Sequence, residues 1–135
     1  MAKTKSQIGR ASRNKGKRFE RQCVAVMHSI TGWPFWKRTQ RGDKQWGGDL
    51  ISCDATGKLV TIVPSGGYSY YVECRARATL RRTELMTWWH VDVEAMARNG
   101  GATRWILLAK QDRGPVLAIC SWEQALGTNL VVRIH

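Results

Sequence analysis

Three acidic residues, Glu20, Asp49 and Glu73, lie in separate segments of the chain and could meet at one site. Asp49 follows two glycines and opens the apolar stretch "DLISC", whereas Glu73 lies inside "YYVECRAR". Carboxylates that approach one another repel unless a divalent cation neutralises them. A cation held in this way can bind a phosphate oxygen and lower the pKa of its bound water. The chemistry that these residues suggest is therefore hydrolysis of a phosphodiester, with Mg²⁺ as the expected metal and Mn²⁺ as a substitute.

The stretch "YYVECRAR" has the alternation of a β-strand, in which side chains two residues apart point to the same face. One face would carry the apolar Tyr70, Val72, Cys74 and Ala76, and the other would carry Tyr71, Glu73, Arg75 and Arg77. Arginine stays charged, so Arg75 cannot act as a base. It can orient a water molecule or stabilise charge that develops on a phosphate.

The remaining segments predict the elements that must hold these side chains. Apolar residues recur at helical spacing from Ser12 to Ile30, with Ser12 as the expected N-cap, and Glu20 borders the buried face. A second helix is expected over residues 83–99 with Thr83 as its N-cap. Its wide apolar coverage fits either core packing alone or burial against both the sheet and a second subunit.

Short apolar segments bounded by glycine and proline predict the strands. These segments are "PFWKRT", "DLISC", "YSYYVECRAR", "TRWILLAK" and "PVLAI", with "KLVTIV" as a further strand or hairpin extension and "SWEQALG" as a short terminal helix. The order of helices and strands predicts an α/β fold, a central mixed β-sheet flanked by α-helices.

Charge and length narrow the class of function. The chain has 135 residues, with 22 Lys and Arg against 10 Asp and Glu, for a net charge of +12. This excess predicts a polyanionic partner, and the absence of a long apolar run makes a membrane the weaker candidate. Residues 1–12 are expected to form a flexible basic arm and residues 13–135 a single domain. Four widely spaced cysteines without metal-ligand spacing favour reduced thiols and a cytoplasmic location.

Four motifs, "GKRFER", "KRT", "GGDLI" and "YVECRAR", resemble in their order and spacing those of the PD-(D/E)xK nuclease superfamily. Within it, the sequence most resembles the archaeal-type Holliday junction resolvases, which also occur in viruses. The resemblance implies a restriction-endonuclease-like core and a homodimer that cuts four-way DNA junctions. It implies Glu20, Asp49 and Glu73 as metal ligands or metal-proximal carboxylates, and Arg21 and Arg38 as phosphate contacts.

One position departs from this pattern, because the family has lysine where this chain has Arg75. Hydroxide could then come from the metal itself, or Lys37, Lys44 or Lys110 could take the role of the missing lysine. Arg75 is expected to act as an electrostatic helper. The full set of expected DNA contacts is Arg13, Lys15, Lys17, Arg21, Arg38, Arg41, Lys44, Trp46 and Arg77.

Simpler interpretations of the same residues stay open. Glu73 and Arg75 could solvate an outer sheet face, Asp49 could be a turn residue, and Glu20 could pair with a neighbouring cation on its helix. Trp46 could stack on an unpaired base or anchor its loop. The alternative functions are a superfamily nuclease acting on duplex, flap or damaged DNA, and a non-catalytic nucleic-acid-binding module.

Overall fold

The computed structural model describes residues 4–40 and 48–121, and within them five strands form one mixed sheet. The strands are β1 (Trp36–Arg38), β2 (Leu50–Ser52), β3 (Tyr70–Arg77), β4 (Arg104–Gln111) and β5 (Val116–Ile119), and they are neighbours in that order. β3 and β4 are parallel, whereas the other neighbouring pairs are antiparallel. The predicted mixed sheet is confirmed.

Helix α1 (Lys5–Thr31) begins earlier than the sequence pattern predicted. Thr4 accepts a hydrogen bond from the backbone N–H of Gln7, and the Gln7 side chain bonds back to the N–H of Thr4, which together form a capping box. The predicted N-cap at Ser12 is therefore wrong, because the start is set by this cap and not by the apolar period. Part of the expected basic arm is thus helical, and its flexibility stays a prediction.

The second helical segment, Arg82–Gly100, has an irregular middle. It consists of α2 (Arg82–Thr87), a π-helical segment (Trp88–Glu94) and α3 (Ala95–Gly100), where a single α-helix was predicted. Arg81 occupies the N-cap position and makes no side-chain capping bond, so the predicted cap at Thr83 is wrong. The wider π turn changes which side chains face the sheet, and it does so beside Glu73 and Arg75.

Helices cover both faces of the sheet, which makes a three-layer fold. Helix α1 packs Phe19, Cys23 and Met27 against the face of β3 and β4 that carries Val72 and Leu108. The second helical segment packs on the opposite face, where the buried residues are Tyr71, Trp88, Val93, Ala97, Trp105 and Leu107. The alternation predicted for β3 is therefore confirmed. This α/β core is consistent with the restriction-endonuclease-like architecture.

The segment "KLVTIV" does not form a regular strand. It contributes two isolated bridges, Cys53 with Leu59 and Val63 with Tyr68. The Val60 N–H donates to the Ser52 carbonyl at 3.1 Å and the Ser52 hydroxyl donates to the Val60 carbonyl at 2.7 Å, so one backbone bond and one side-chain bond tie this segment to β2. The predicted terminal helix lies outside the described residues beyond its first residue. No helix within the described part of the chain is both long and apolar enough to span a bilayer.

The outer side of the second helical segment is partly apolar. Met86, Val91 and Met96 are exposed, whereas Trp88 and Val93 are buried against the sheet. This distribution accounts for the wide apolar coverage seen in the sequence. Whether a second subunit covers the outer residues stays a prediction.

Candidate active site

Asp49 lies where β2 separates from β3. Its N–H donates to the Val72 carbonyl at 2.7 Å, and its carbonyl accepts from the Thr39 N–H at 2.9 Å. The two strands pair only at Leu50 and Val72. One step further along β3, the N–H of Cys74 donates to the carboxylate of Asp49 at 2.7 Å. The Asp49 side chain thus satisfies a donor that β2 leaves unpaired, which fixes its position next to Glu73.

Gly48 permits this close approach of β2 to β3. Its φ is +81°, and a Cβ atom there would lie 2.6 Å from the Val72 carbonyl oxygen. Both the left-handed backbone and the short contact require glycine. The glycine before Asp49 therefore belongs to the construction of the site.

We expect Gly48→Ala to destabilise the protein by roughly 1–3 kcal/mol, because it adds backbone strain and a clash with β3. The measurement is urea unfolding. Gly57→Ala is the matched control, since Gly57 has φ +88° but open space around the position of a Cβ. A destabilisation by Gly48→Ala no larger than that of the control would contradict the role of close packing.

Glu73 lies beside Asp49 and is partly buried, with 12% of its side chain exposed. Burial, and then the charge of Asp49, raise the pKa of Glu73 to about 7, and Arg75 opposes this shift. Burial also raises the pKa of Asp49, while the bond from the Cys74 N–H lowers it. The Tyr71 hydroxyl donates to Glu73 at 3.2 Å. Two carboxyl groups that both resist ionisation mark a place where a cation is favoured.

Glu20 lies nearby but has its own partner. The Nε of Arg38 donates to its carboxylate at 2.6 Å, and the negative charge of Glu20 contributes to the raised pKa of Asp49. Within residues 4–40 and 48–121, no group of three His, Cys, Asp or Glu side chains is arranged to hold a metal ion. The structure thus brings Asp49 and Glu73 together with Glu20 at their border, and the three-carboxylate ligand set stays a prediction.

Arg75 is held over the site by residues that the sequence did not single out. Its Nη2 lies 3.1 Å from Glu73 and 3.0 Å from Asp92, and its guanidinium lies 5.6 Å from the centre of the Trp88 ring. Asp92 and Trp88 both belong to the π-helical segment. A regular helical period gives no sign of that segment, so sequence analysis had no signal for Asp92.

The expected DNA contacts have different surroundings. Lys17 and Arg21 are exposed on α1, where Arg13 also lies. Lys15 pairs with Asp112, and Arg38 is bound to Glu20. The guanidinium of Arg77 lies 5.0 Å from the centre of the Trp88 ring. The remaining three, Arg41, Lys44 and Trp46, lie outside the described residues.

Of the lysines that could replace the missing one, Lys37 donates to the Gly57 carbonyl at 3.2 Å. Lys110 follows Leu108 by two residues on β4, on the face covered by α1, which is opposite to Glu73. Lys44 lies outside the described residues. Among the described residues, Arg75 is therefore the cation in direct contact with the carboxylate pair.

The donors at the site fit a hard divalent cation. Asp49 and Glu73 offer only oxygen atoms, which Mg²⁺ and Mn²⁺ prefer. Because the two carboxyl groups interact closely and both have raised pKa values, the pair keeps a proton more readily when no cation is bound. A divalent cation would take the place of that proton and remove the repulsion.

A comparison with known protein families matches residues 11–134 to the family described as "Phage putative PDDEXK endonuclease". The chain belongs to this family. The resemblance to the PD-(D/E)xK nuclease superfamily is thereby confirmed, and the narrower resemblance to Holliday junction resolvases stays a prediction. No curated protein and no solved structure matches the chain significantly. In the PDDEXK pattern, by the resemblance, Asp49 is the first acidic residue and Glu73 the second, and Arg75 stands in place of lysine.

Proposed function

We propose that the chain is a metal-dependent DNA endonuclease that hydrolyses phosphodiester bonds at the Asp49–Glu73 pair. The observation that carries the proposal is the close interaction of these two partly buried carboxyl groups, with Arg75 beside them. Membership of the PDDEXK endonuclease family supports it. The net charge of +12 suits a polyanionic substrate.

Asp49 and Glu73 would hold Mg²⁺ or Mn²⁺, with Glu20 at the border of the site. When bound, the cation would supply a water molecule of lowered pKa and neutralise charge on the phosphate. The N–H of Cys74 keeps the Asp49 carboxylate oriented, and Gly48 lets the strand approach closely enough for this bond. Arg75 offers a permanent positive charge to the phosphate as negative charge develops on it.

The finer proposal is that the substrate is a four-way DNA junction and that the protein acts as a homodimer in the cytoplasm of a host cell. The order of the sequence motifs supports the substrate class, because those motifs resemble the junction resolvases. A homodimer would place two equivalent sites at symmetric positions of a junction. The exposed apolar residues Met86, Val91 and Met96 offer one face for such an interface.

A metal-titrated digestion tests the proposed function. We expect Mg²⁺ to restore cleavage after EDTA treatment and a four-way junction to be cut faster than linear duplex of the same sequence. Equal cleavage of both substrates would favour the alternative of a general superfamily endonuclease. Tight DNA binding without cleavage at any Mg²⁺ or Mn²⁺ concentration would favour a non-catalytic binding module.

A further inference from the structure

A basic cleft extends from the candidate active site along the α1 face of the sheet. It consists of two adjoining cavities of about 340 and 380 Å³, which share Lys15, Phe19 and Ala76 in their walls. The inner cavity reaches Glu20 and Cys74, and the N–H of Cys74 holds Asp49. The outer cavity continues to the turn between β4 and β5. The cleft therefore begins at Glu20 and beside the Cys74 N–H that holds Asp49, on the face of the sheet opposite to Glu73, and leads away from them.

The outer cavity is strongly positive. Its charged residues are four cations and one carboxylate, namely Lys15, Arg18, Lys110, Arg113 and Asp112. Lys15 pairs with Asp112, and no ion pair to the other three cations is found among residues 4–40 and 48–121. Unbalanced cations around a concave surface favour an anionic ligand.

Arg113 has a strained backbone in this wall. Its φ is +63°, and it is the only residue other than glycine with a positive φ among those described. Such a conformation costs about 1 kcal/mol or more in a residue with a side chain. The Arg113 side chain has no ion pair in the described part of the chain to offset this cost, so its guanidinium is available to a ligand at the cleft.

We propose that this cleft binds a backbone phosphate of the DNA about two base-pair steps from the scissile bond. The proposal rests on the proposed function for its choice of DNA. From Cys74 to Ala76, the strand that forms the cleft floor advances about 7 Å, which is close to two base-pair steps along duplex DNA. Asp112 neutralises Lys15 in the absence of DNA, and a phosphate takes its place as the partner of Lys15 when DNA binds.

Two substitutions each remove one cation of the outer cavity and are expected to keep the fold. Lys110 is half-buried at a strand end and accommodates glutamine, and Arg113→Gly relieves the positive φ. Affinity is measured by fluorescence anisotropy with a labelled four-way junction and a labelled duplex, in EDTA, over a series of salt concentrations. Each substitution should lower the slope of log affinity against log salt by about 0.9, equivalent to about eightfold weaker binding at 0.1 M salt.

Lys58→Gln is the matched control, because Lys58 is exposed beyond β2, toward the opposite edge of the sheet from the β4–β5 turn. It removes the same charge and should change affinity less than twofold. Asp112→Asn should have the opposite effect and tighten binding several-fold, since it frees Lys15 and removes a negative charge from the cleft. Loss of one exposed ion pair leaves stability nearly unchanged.

Unchanged salt slopes for Lys110→Gln and Arg113→Gly would overturn the proposal. So would an equal loss of affinity in Lys58→Gln, which would indicate a general effect of charge. If Asp112→Asn binds DNA more weakly than the wild type, a DNA phosphate does not replace Asp112 as the partner of Lys15. Affinity is measured without metal, so the test of the cleft does not depend on cleavage. If the substitutions weaken binding as expected but the protein never cleaves DNA, the proposed nuclease activity is refuted and the proposed DNA-binding cleft is retained.

Discussion

Asp49→Asn is expected to abolish DNA cleavage and to leave DNA affinity within about threefold of the wild type. The substitution removes one of the two carboxylates that would hold the cation, while asparagine keeps an oxygen that can accept the Cys74 N–H. We expect a loss of rate of at least about 10²- to 10³-fold, the range observed when one group that stabilises a transition state is removed. Phosphate contacts elsewhere dominate affinity, so binding persists.

The measurement is single-turnover cleavage at saturating protein, together with anisotropy in EDTA. Asp54→Asn is the matched control, because it makes the same chemical change in a turn where Asp54 accepts bonds from Thr56 and Lys58. Asparagine supports the same kind of turn. Asp54→Asn should cleave at the wild-type rate. Wild-type cleavage by Asp49→Asn would remove Asp49 from the metal site.

Local patterns in the sequence predicted the strand that carries the site. The alternation in β3 separates Val72 and Cys74 from Glu73 and Arg75, and both faces are as expected. The position of Asp49 at the start of β2 follows from the Gly-Gly pair before it. These features depend on neighbours within a few residues, so a period of two and a turn signal were sufficient.

Contacts between distant segments could not be predicted in the same way. The bond from Arg38 to Glu20 depends on how α1 lies across β1, and both residues were expected to serve other partners. The contact of Asp92 with Arg75 depends on the π-helical segment, which shifts the helical register by one residue. Neither effect appears in a periodic pattern. The candidate site residues were therefore easier to predict than the partners that orient them.

The bond between Arg75 and Asp92 also shows how an arginine is accommodated beside the carboxylate pair. The guanidinium is planar and has several donors, so it can contact Glu73 and Asp92 at the same time. A lysine ammonium at the same position would be shorter and would lack this fork. Asp92 thus balances part of the positive charge that Arg75 brings to Glu73.

The pair of carboxyl groups should make the metal-free protein less stable at neutral pH than it is in mild acid. The pKa of Glu73 is about 7 in the folded protein and 4.5 in an ordinary environment. Between these values the unfolded chain releases the proton that the folded protein keeps, so the contribution of Glu73 to stability falls as the pH rises through this window. The full effect is on the order of 3 kcal/mol, which disfavours folding above pH 7.

Glu73→Gln is therefore expected to stabilise the protein by roughly 3 kcal/mol at pH 8 in EDTA and to change its stability little at pH 4.5. Glutamine keeps one carbonyl oxygen that can accept from Arg75, its amide N–H can donate to the Tyr71 hydroxyl, and it cannot ionise beside Asp49. The measurement is urea unfolding at both pH values. Glu84→Gln, the same change at the first turn of α2, is the control and should show no such difference between pH 4.5 and pH 8.

Mg²⁺ should offset part of the stability advantage that Glu73→Gln has over the wild type at pH 8. A cation that binds only the folded wild-type protein stabilises it by about 2.7 kcal/mol at a concentration 100 times its dissociation constant. Glu73→Gln loses a ligand and should gain much less from Mg²⁺. If both proteins gain equally from Mg²⁺ at pH 8, Glu73 does not bind the cation. If the wild type is already as stable as the variant in EDTA at pH 8, the repulsion between Glu73 and Asp49 is absent. These two carboxyl groups cannot then account for a site that requires metal.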